Sequence, residues 1–263
     1  MGPCEEPREG ERESGRQAMS SGIVVRKCGA LDEFRACVAL EREIWGEADL
    51  EVEPATTFVV ATETGGQVLG AFDGPRLIGY TLALAGLANG GCYLHSHMTG
   101  VHRDYRDRGV GRMLKLLQRE EALGRGIRRI EWTFDPLEMR NAHFNLNRLG
   151  AIARRYLPNL YGVTTSPLHR GLATDRLVAE WHLDSPRVLA ALEGELANPA
   201  SAEVIEISAS FDHANPNDRS QVEELQKRIR RQFTEGFARG YAAVGIRKTA
   251  ERCEYQLVQW SEF

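Results

Sequence analysis

The chemistry in this sequence concentrates in one run, YLHSHMTGVHRDYRDRGVGRMLKLLQ, over Tyr93–Gln118. Its centre, Arg106-Asp107-Arg108-Gly109-Val110-Gly111, is an R-x-x-G-x-G set between a strand-like and a helix-like segment. Two glycines let successive backbone N–H groups point into one concavity without side-chain obstruction. The helix that follows adds free N-terminal donors and the positive end of its dipole, a combination suited to a pyrophosphate. Arg108 and Arg112 flank the glycines and are expected to add charge-assisted donors at the rim. Other phosphate loops fit less well, because no Lys-Ser/Thr follows the glycines and no G-x-G-x-x-G is present. The plain alternative is a Gly-rich turn with solvated arginines; the flanking strand and amphipathic helix favour the phosphate.

Proton chemistry has its candidates nearby. His95 and His97 lie on one face of the strand before the loop, since side chains alternate with period two. An imidazole titrates at about 6.5 and can take a proton near neutrality without a large shift. Glu131 and Asp135, in the strand EWTFD, compete for that role. A carboxylate facing the interior of a sheet needs a partner. The alternatives are a hydrogen-bonded structural histidine, and Glu131 paired with Arg128 or Arg129 on a sheet edge.

The surrounding elements must hold these groups. Ile23–Cys28 reads as a strand and Leu31–Trp45 as an amphipathic helix. Asp49–Thr57 reads as an irregular link, while Phe58–Ala61 fits either a strand or a buried helix. Gln67–Phe72 and Arg76–Leu87 form a hairpin across Asp73-Gly74-Pro75, and the turn Asn89-Gly90-Gly91 leads into the strand Cys92–Val101. Val110–Leu123 is a helix with Met113, Leu114, Leu116, Leu117 and Leu123 on its apolar side. Ile127–Phe134 is a strand, Glu138–Leu149 a helix ending at Gly150, and Ile152–Tyr156 and Arg176–Leu183 are strands. Beyond Pro186 come a helix over Val188–Leu196, a strand over Val204–Ser208, a long helix over Arg219–Ala238 and a last hairpin. The order gives an α/β protein with a mixed sheet.

Composition narrows the function classes. Among 263 residues, 33 basic side chains face 37 acidic ones, so no overall field attracts nucleic acid. No apolar run reaches the roughly 18 residues of a membrane span. The five cysteines, Cys4, Cys28, Cys37, Cys92 and Cys253, show no CxxC pairing and read as free thiols, with no metal site implied. Residues 1–22 are polar, lack the apolar core of a secretory signal, and are expected to be a disordered tail. The expected location is cytoplasmic, and the expected state a monomer or homodimer.

With these residues in view, Val101–Gly111, VHRDYRDRGVG, resembles motif A of the GNAT acyltransferases, V-x-P-x-Y-R-x-x-G-x-G, with Arg103 in place of the proline. The strings YLHSHM, EWTFDPLE and RLGAIARRYLPNLYG resemble a bacterial group of large GNAT-like proteins predicted to be acetyltransferases. The resemblance implies a GNAT fold: a mixed central sheet splayed between strands 4 and 5, flanked by helices, over residues 23–185. A C-terminal α/β extension over 186–263 is expected to pack on that core. The resemblance further implies acetyl-CoA or another acyl-CoA as co-substrate. Its pyrophosphate would meet Arg106, Arg108, Gly109, Val110, Gly111 and Arg112. Its pantetheine arm would lie along the backbone of Met98–Val101, at Thr99 and Val101, with Asn141 and Asn145 toward its far end. His95 falls at the spacing of the base in the histone-modifying branch, with His97 and Glu131 as further catalytic candidates.

One departure matters. The family's usual acid is a tyrosine at the position of Leu146, so either Tyr156, Tyr161, His143 or a water is the donor, or the thiolate leaves unaided. The family builds its acceptor site where this chain has Leu157–Asp175, which carries Tyr161, Thr164, Thr165, Ser166, His169 and Arg170, just after Arg154 and Arg155. The implied activity is N-acylation of a small-molecule amine such as an amino acid, by acetyl or a dicarboxylic acyl group such as succinyl. The competing expectation is a catalytically degenerate CoA-binding sensor or scaffold.

Overall fold

The computed structural model describes residues 22–46, 52–88, 91–162, 171–197, 199, 203–208 and 219–261. The Asn89-Gly90 turn, residues 49–51 of the expected link, the N-terminal tail up to residue 21 and the loop residues Thr164, Thr165, Ser166, His169 and Arg170 lie outside them; the rest of that link is described, and its end is helical, since a helix begins at Ala55.

The strands are β1 (Ile23–Lys27), β2 (Gln67–Asp73), β3 (Arg76–Ala88), β4 (Gly91–Val101), β5 (Arg129–Phe134), β6 (Ile152–Leu157), β7 (Arg176–His182), β8 (Glu203–Ser208), β9 (Tyr241–Lys248) and β10 (Arg252–Gln259). They form one sheet in the order β1-β2-β3-β4-β5-β7-β6-β9-β10-β8. The helices are α1 (Leu31–Trp45), α2 (Ala55–Glu63), α3 (Val110–Gly124), α4 (Met139–His143), α5 (Pro186–Glu193) and α6 (Arg219–Ala238). Phe58–Ala61, ambiguous from its residues, belongs to α2, where Phe58 and Ala61 are fully buried. Ser185 caps α5 by accepting from the Val188 N–H, so that helix begins at Pro186, ahead of the expected Val188.

The two faces of the sheet differ. On one, α1 and α2 pack Phe34, Cys37, Leu40 and Phe58 against Tyr80 and Leu82. On the other, α3 sets Val110 and Leu114 on Leu69, Ala71 and Ile78. The buried stripe of α3 is Val110, Leu114, Lys115, Gln118 and Ala122. This corrects the expected stripe, since Met113, Leu116, Leu117 and Leu123 are half-buried and two polar side chains take the interior.

Among the described residues β4 and β5 are the one parallel pair, matched at Leu94 with Ile130 and His95 with Glu131. Past those residues both strands continue without pairing each other, which is the expected splay. A bulge in β4 opposite Leu82 and Ala83 leaves His97 as the extra residue.

The chain beyond Pro186 continues this sheet. β9 touches β6 at one register pair, Ala153 with Ala243. Its backbone past that point is completed by side chains: Asn147 Oδ1 accepts from the Ile246 N–H at 2.9 Å. The Arg187 guanidinium donates to the carbonyls of Val244, Leu146 and Gly150. α6 buries Val222, Ile229 and Phe233, with Phe233 stacked on Tyr156 of β6 at 5.7 Å. Fully burying such side chains stabilises by about 1.5–3 kcal/mol each. Truncation after Asp184 is therefore expected to yield an aggregating or unfolded protein. Size-exclusion chromatography and a thermal melt check this; a monomeric, cooperatively melting truncate would count against it.

Candidate active site

The candidate phosphate loop has the backbone its sequence implies. Gly109 stands at φ +80° as the residue before α3, a conformation that L side chains rarely adopt. Asp107 is also left-handed, at φ +62°, and pairs with Arg140. The first helical bond of α3 runs from the Met113 N–H to the Gly109 carbonyl, so the amides before it face out of the helix end. A Cβ at Gly111 would meet only Val101 Cγ2, at 3.9 Å. Internal packing does not demand glycine there, and the open space leaves an approach to the amides. These residues fit a pyrophosphate.

The side chains around the loop are less uniform. Arg106 Nε donates to the Val101 carbonyl at 3.3 Å, and Arg108 lies over the Tyr105 ring at 5.1 Å. Both are exposed at the loop. Arg112 departs from expectation: its guanidinium donates to the Leu192 carbonyl at the end of α5, at 2.7 Å. The unsatisfied carbonyls of a helix C-terminus attract a cation, so this arginine ties α3 to α5 instead of lining the rim. Thr99 Oγ1 bonds Thr81 Oγ1 at 2.8 Å, leaving its backbone as the group available along the splay. Asn141 is exposed on α4. Asn145 lies in a π-helical turn, Phe144–Arg148, buried, with Nδ2 unpartnered among the described residues. An unmet buried donor costs about 1–3 kcal/mol, and π-turns recur at functional sites.

On the opposite face, where β4 and β5 part, His95, His97 and Glu131 come together. The His95 and His97 rings lie 6.2 Å apart. His97 Nε2 contacts Glu53 Oε1 at 3.1 Å. The His95 ring makes no hydrogen bond among the described residues. Burial, and then the neighbouring His97, push its pKa below the ordinary histidine value, so its ring is neutral at pH 7. Glu131 is buried on a central strand, where Arg155 meets it at 2.5 Å and Arg129 at 3.3 Å. The expected edge pairing is thus corrected in place, and Arg155 is the partner that the sequence alone did not identify.

Leu146, at the position of the family's acid, is fully buried in the main core. Tyr156 points to the helical face, donates to Asp175 at 2.6 Å, and has its pKa driven far up by burial and by that carboxylate. His143 is exposed on α4. Tyr161 shares a 2.9 Å hydrogen bond with Thr133, two residues past Glu131 on β5.

Lys115 was not singled out from the sequence. Its Nζ donates to Ser96 Oγ at 2.8 Å and Gln118 Oε1 at 3.0 Å, and lies 4.1 Å from the Trp132 ring centre. No carboxylate pairs with it among the described residues, and burial lowers its pKa to about 7. The available signal was spacing: Val110, Leu114, Gln118 and Ala122 recur every fourth residue, and Lys115 sits beside that row.

Residues 33–150 match the sequence profile of the Acetyltransferase (GNAT) family. The matched segment is a GNAT acetyltransferase domain, a family whose general reaction is N-acetylation from an acyl-CoA. Solved structures share its fold. A proposed acetyltransferase of the GNAT family from Desulfovibrio desulfuricans superposes with a TM-score of 0.50 at 14% identity, over 61% of this chain and 99% of its own. The structure of yncA, a proposed acetyltransferase from Salmonella typhimurium with its cofactor acetyl-CoA, gives 0.50 at 16% identity, over 62% and 95%. No curated protein sequence matches the chain. No described helix is long and apolar enough to cross a membrane.

Proposed function

We propose that this protein is a cytoplasmic acyl-CoA-dependent N-acyltransferase that acts on the amine of a small molecule such as an amino acid. The observation that carries this reading is the layout of one strand. β4 leads from His95, where it leaves β5, to the phosphate loop after Val101. A co-substrate pinned at the loop and laid along the free edge of β4 by strand-like hydrogen bonds would present its acyl end near His95. In this proposal the amides at the start of α3, with Arg106 and Arg108, hold the pyrophosphate, and Thr99 and Val101 offer backbone groups to the arm. Asn145 Nδ2 and Asn141 supply polar contacts farther along. The neutral His95 ring takes the proton from the acceptor amine as the amine attacks, with His97 beside it. Tyr161, held by Thr133, is the hydroxyl placed to return a proton to the leaving thiolate. The GNAT part is assigned to 23–185 and the extension to 186–263.

Thiol release from a set of acyl-CoAs with pooled small amines tests the activity. The loop is tested separately. Gly109→Asp and Gly111→Asp each place a carboxylate against the phosphates, so calorimetry should show CoA binding weakened by tenfold or more, about 1.4 kcal/mol. Unchanged affinity in both variants would remove the pyrophosphate from this loop. Buried Leu146 favours a second reading, a CoA-binding sensor without turnover. Tight acyl-CoA binding with no thiol release for any amine is its signature.

A further inference from the structure

The family match ends at Gly150, and the chain beyond it reaches back to the face that carries His95 and Glu131. Phe237, Tyr241 and Trp260 wall a cleft of about 540 Å³ whose lining includes Glu131, the register partner of His95. Tyr161 comes to the same face. Its hydroxyl meets Thr133, which follows Glu131 by the two residues that return a strand to one side. The Tyr161 residue is 47% exposed, with the Arg176 guanidinium 5.5 Å from its ring centre, so packing alone does not orient it. The position of the hydroxyl depends on the turn that carries it.

That turn is held by a strip of chain over residues 171–175. Thr174 Oγ1 accepts from the Tyr161 N–H at 2.9 Å and donates to the Gly162 carbonyl at 3.0 Å. The Thr174 carbonyl accepts from the Leu160 N–H at 3.0 Å, and its own N–H donates to Asn159 Oδ1 at 3.1 Å. Asn159 stands at φ +44°, a conformation that persists only where its surroundings fix it. The strip is in turn gripped by α6. Arg219 donates to the Gly171 carbonyl at 3.1 Å and Gln226 to the Ala173 carbonyl at 3.0 Å. Arg230 donates to both oxygens of Asp175, at 2.8 and 2.9 Å. Spacings of seven and four put these three side chains on one face of the helix. Asp175 is the joint, and its side chain is fully buried. Besides Arg230, Oδ1 accepts from the Asn159 N–H at 3.0 Å and Oδ2 from the Tyr156 hydroxyl at 2.6 Å. A buried carboxylate is stable only beside its cation, and the planar guanidinium fork sets the angle of the pair as well as its distance.

We infer that Arg230 is a positioning residue for acyl transfer. Through Asp175 and Thr174 it sets the Tyr161 hydroxyl on the face of His95, so that the C-terminal extension completes a site begun by residues 33–150. This inference rests on the reading of Tyr161 as the proton donor, but its first test needs no turnover. The full-length protein is labelled with ring-fluorinated tyrosine, and Tyr161→Phe identifies the Tyr161 resonance by fluorine NMR. In Arg230→Gln that resonance should move to the position of a fluorotyrosine in an unstructured peptide, with CoA affinity unchanged. Of the other resonances only that of Tyr156, which shares Asp175, should follow. Arg228→Ala removes a different α6 arginine, bonded to the Glu206 carbonyl, and should leave the Tyr161 resonance in place. If Arg230→Gln does not fold, Arg230→Lys serves, since it keeps the charge and loses the fork. Thiol release from acetyl-CoA with pooled small amines is then compared at saturating acetyl-CoA. Arg230→Gln should lower the rate at least tenfold with the acetyl-CoA KM unchanged. It should lower the rate no further in a protein that already carries Tyr161→Phe. An unmoved Tyr161 resonance in a folded Arg230 variant, or an equal loss of rate in the Tyr161→Phe background, would overturn the inference and spare the transferase reading. Full activity of Tyr161→Phe would overturn it together with the donor role of Tyr161. Absence of thiol release from the wild type with any pooled amine would overturn the transferase reading, and with it the part of Arg230 in the reaction, whatever the resonance does.

Discussion

His95→Gln should lower kcat/KM for acyl transfer by ~10²–10⁴-fold while leaving acyl-CoA affinity nearly intact. Glutamine keeps a hydrogen-bonding side chain at the point where β4 leaves β5 but cannot titrate. The wild-type profile of kcat/KM reports the free protein and should rise with pH through one group. Because burial and His97 depress the His95 pKa, the midpoint of that rise should fall below the ordinary histidine value, with activity retained in mild acid. The variant should lose the rise altogether. His97→Gln is expected to have a smaller effect, since His97 contacts Glu53. Glu131→Gln breaks contacts to Arg129 and Arg155 and should act on the acceptor's KM. A fully active His95→Gln protein with an unchanged pH profile would show that His95 is not the base. If all three variants retain full activity, alignment of an already neutral amine carries the rate.

The second large effect concerns stability. Unfolded, Lys115 keeps its proton up to the ordinary lysine value of 10.5; folded, burial brings that down to about 7. Above pH 7 the unfolded chain therefore holds more protons at this site than the folded one, and stability rises with pH until both forms are neutral. Below pH 7 both forms are charged and the rise is absent. Relative to Lys115→Met, which cannot titrate, the wild type should gain about 2 kcal/mol between pH 7 and pH 9. Urea denaturation of the two proteins at both pH values measures this, with shared background titrations cancelling. At pH 7 the methionine variant removes a buried charge without a carboxylate partner, which often stabilises, but it also strands Ser96 and Gln118. The pH dependence is thus the diagnostic. A stability difference that stays flat would mean that Lys115 remains charged in the folded protein.

Local order explains what the sequence by itself determined. The R-x-x-G-x-G run could be read as a candidate phosphate loop because the backbone it needs is set by a few adjacent residues: a positive φ at Gly109 and a helix starting at Val110. Arg219–Ala238 was legible from its spacing for the same reason, since a helix writes its buried face every three or four residues. His95 and Glu131 could each be named as candidates. That they are register partners across a pair of strands that then part was decided by the sheet. Arg112 shows the limit of motif reading. Its backbone belongs to the loop, but its guanidinium follows the carbonyl of Leu192, eighty positions away in sequence. Lys115 and Gln118 broke the apolar pattern of α3, and only the packing of α3 on β4 and β5 placed them inside together, where each satisfies the other. The cleft was the least legible feature. Tyr93, Arg129, Arg155, Glu180, Tyr241 and Trp260 come from five strands and the chain just past a sixth, and each reads alone as an ordinary surface or core residue. Their meeting depends on β9 joining β6 through a single register pair, backed by Asn147 and Arg187. Contacts between residues so distant in sequence follow from the sheet order, which no local pattern encodes.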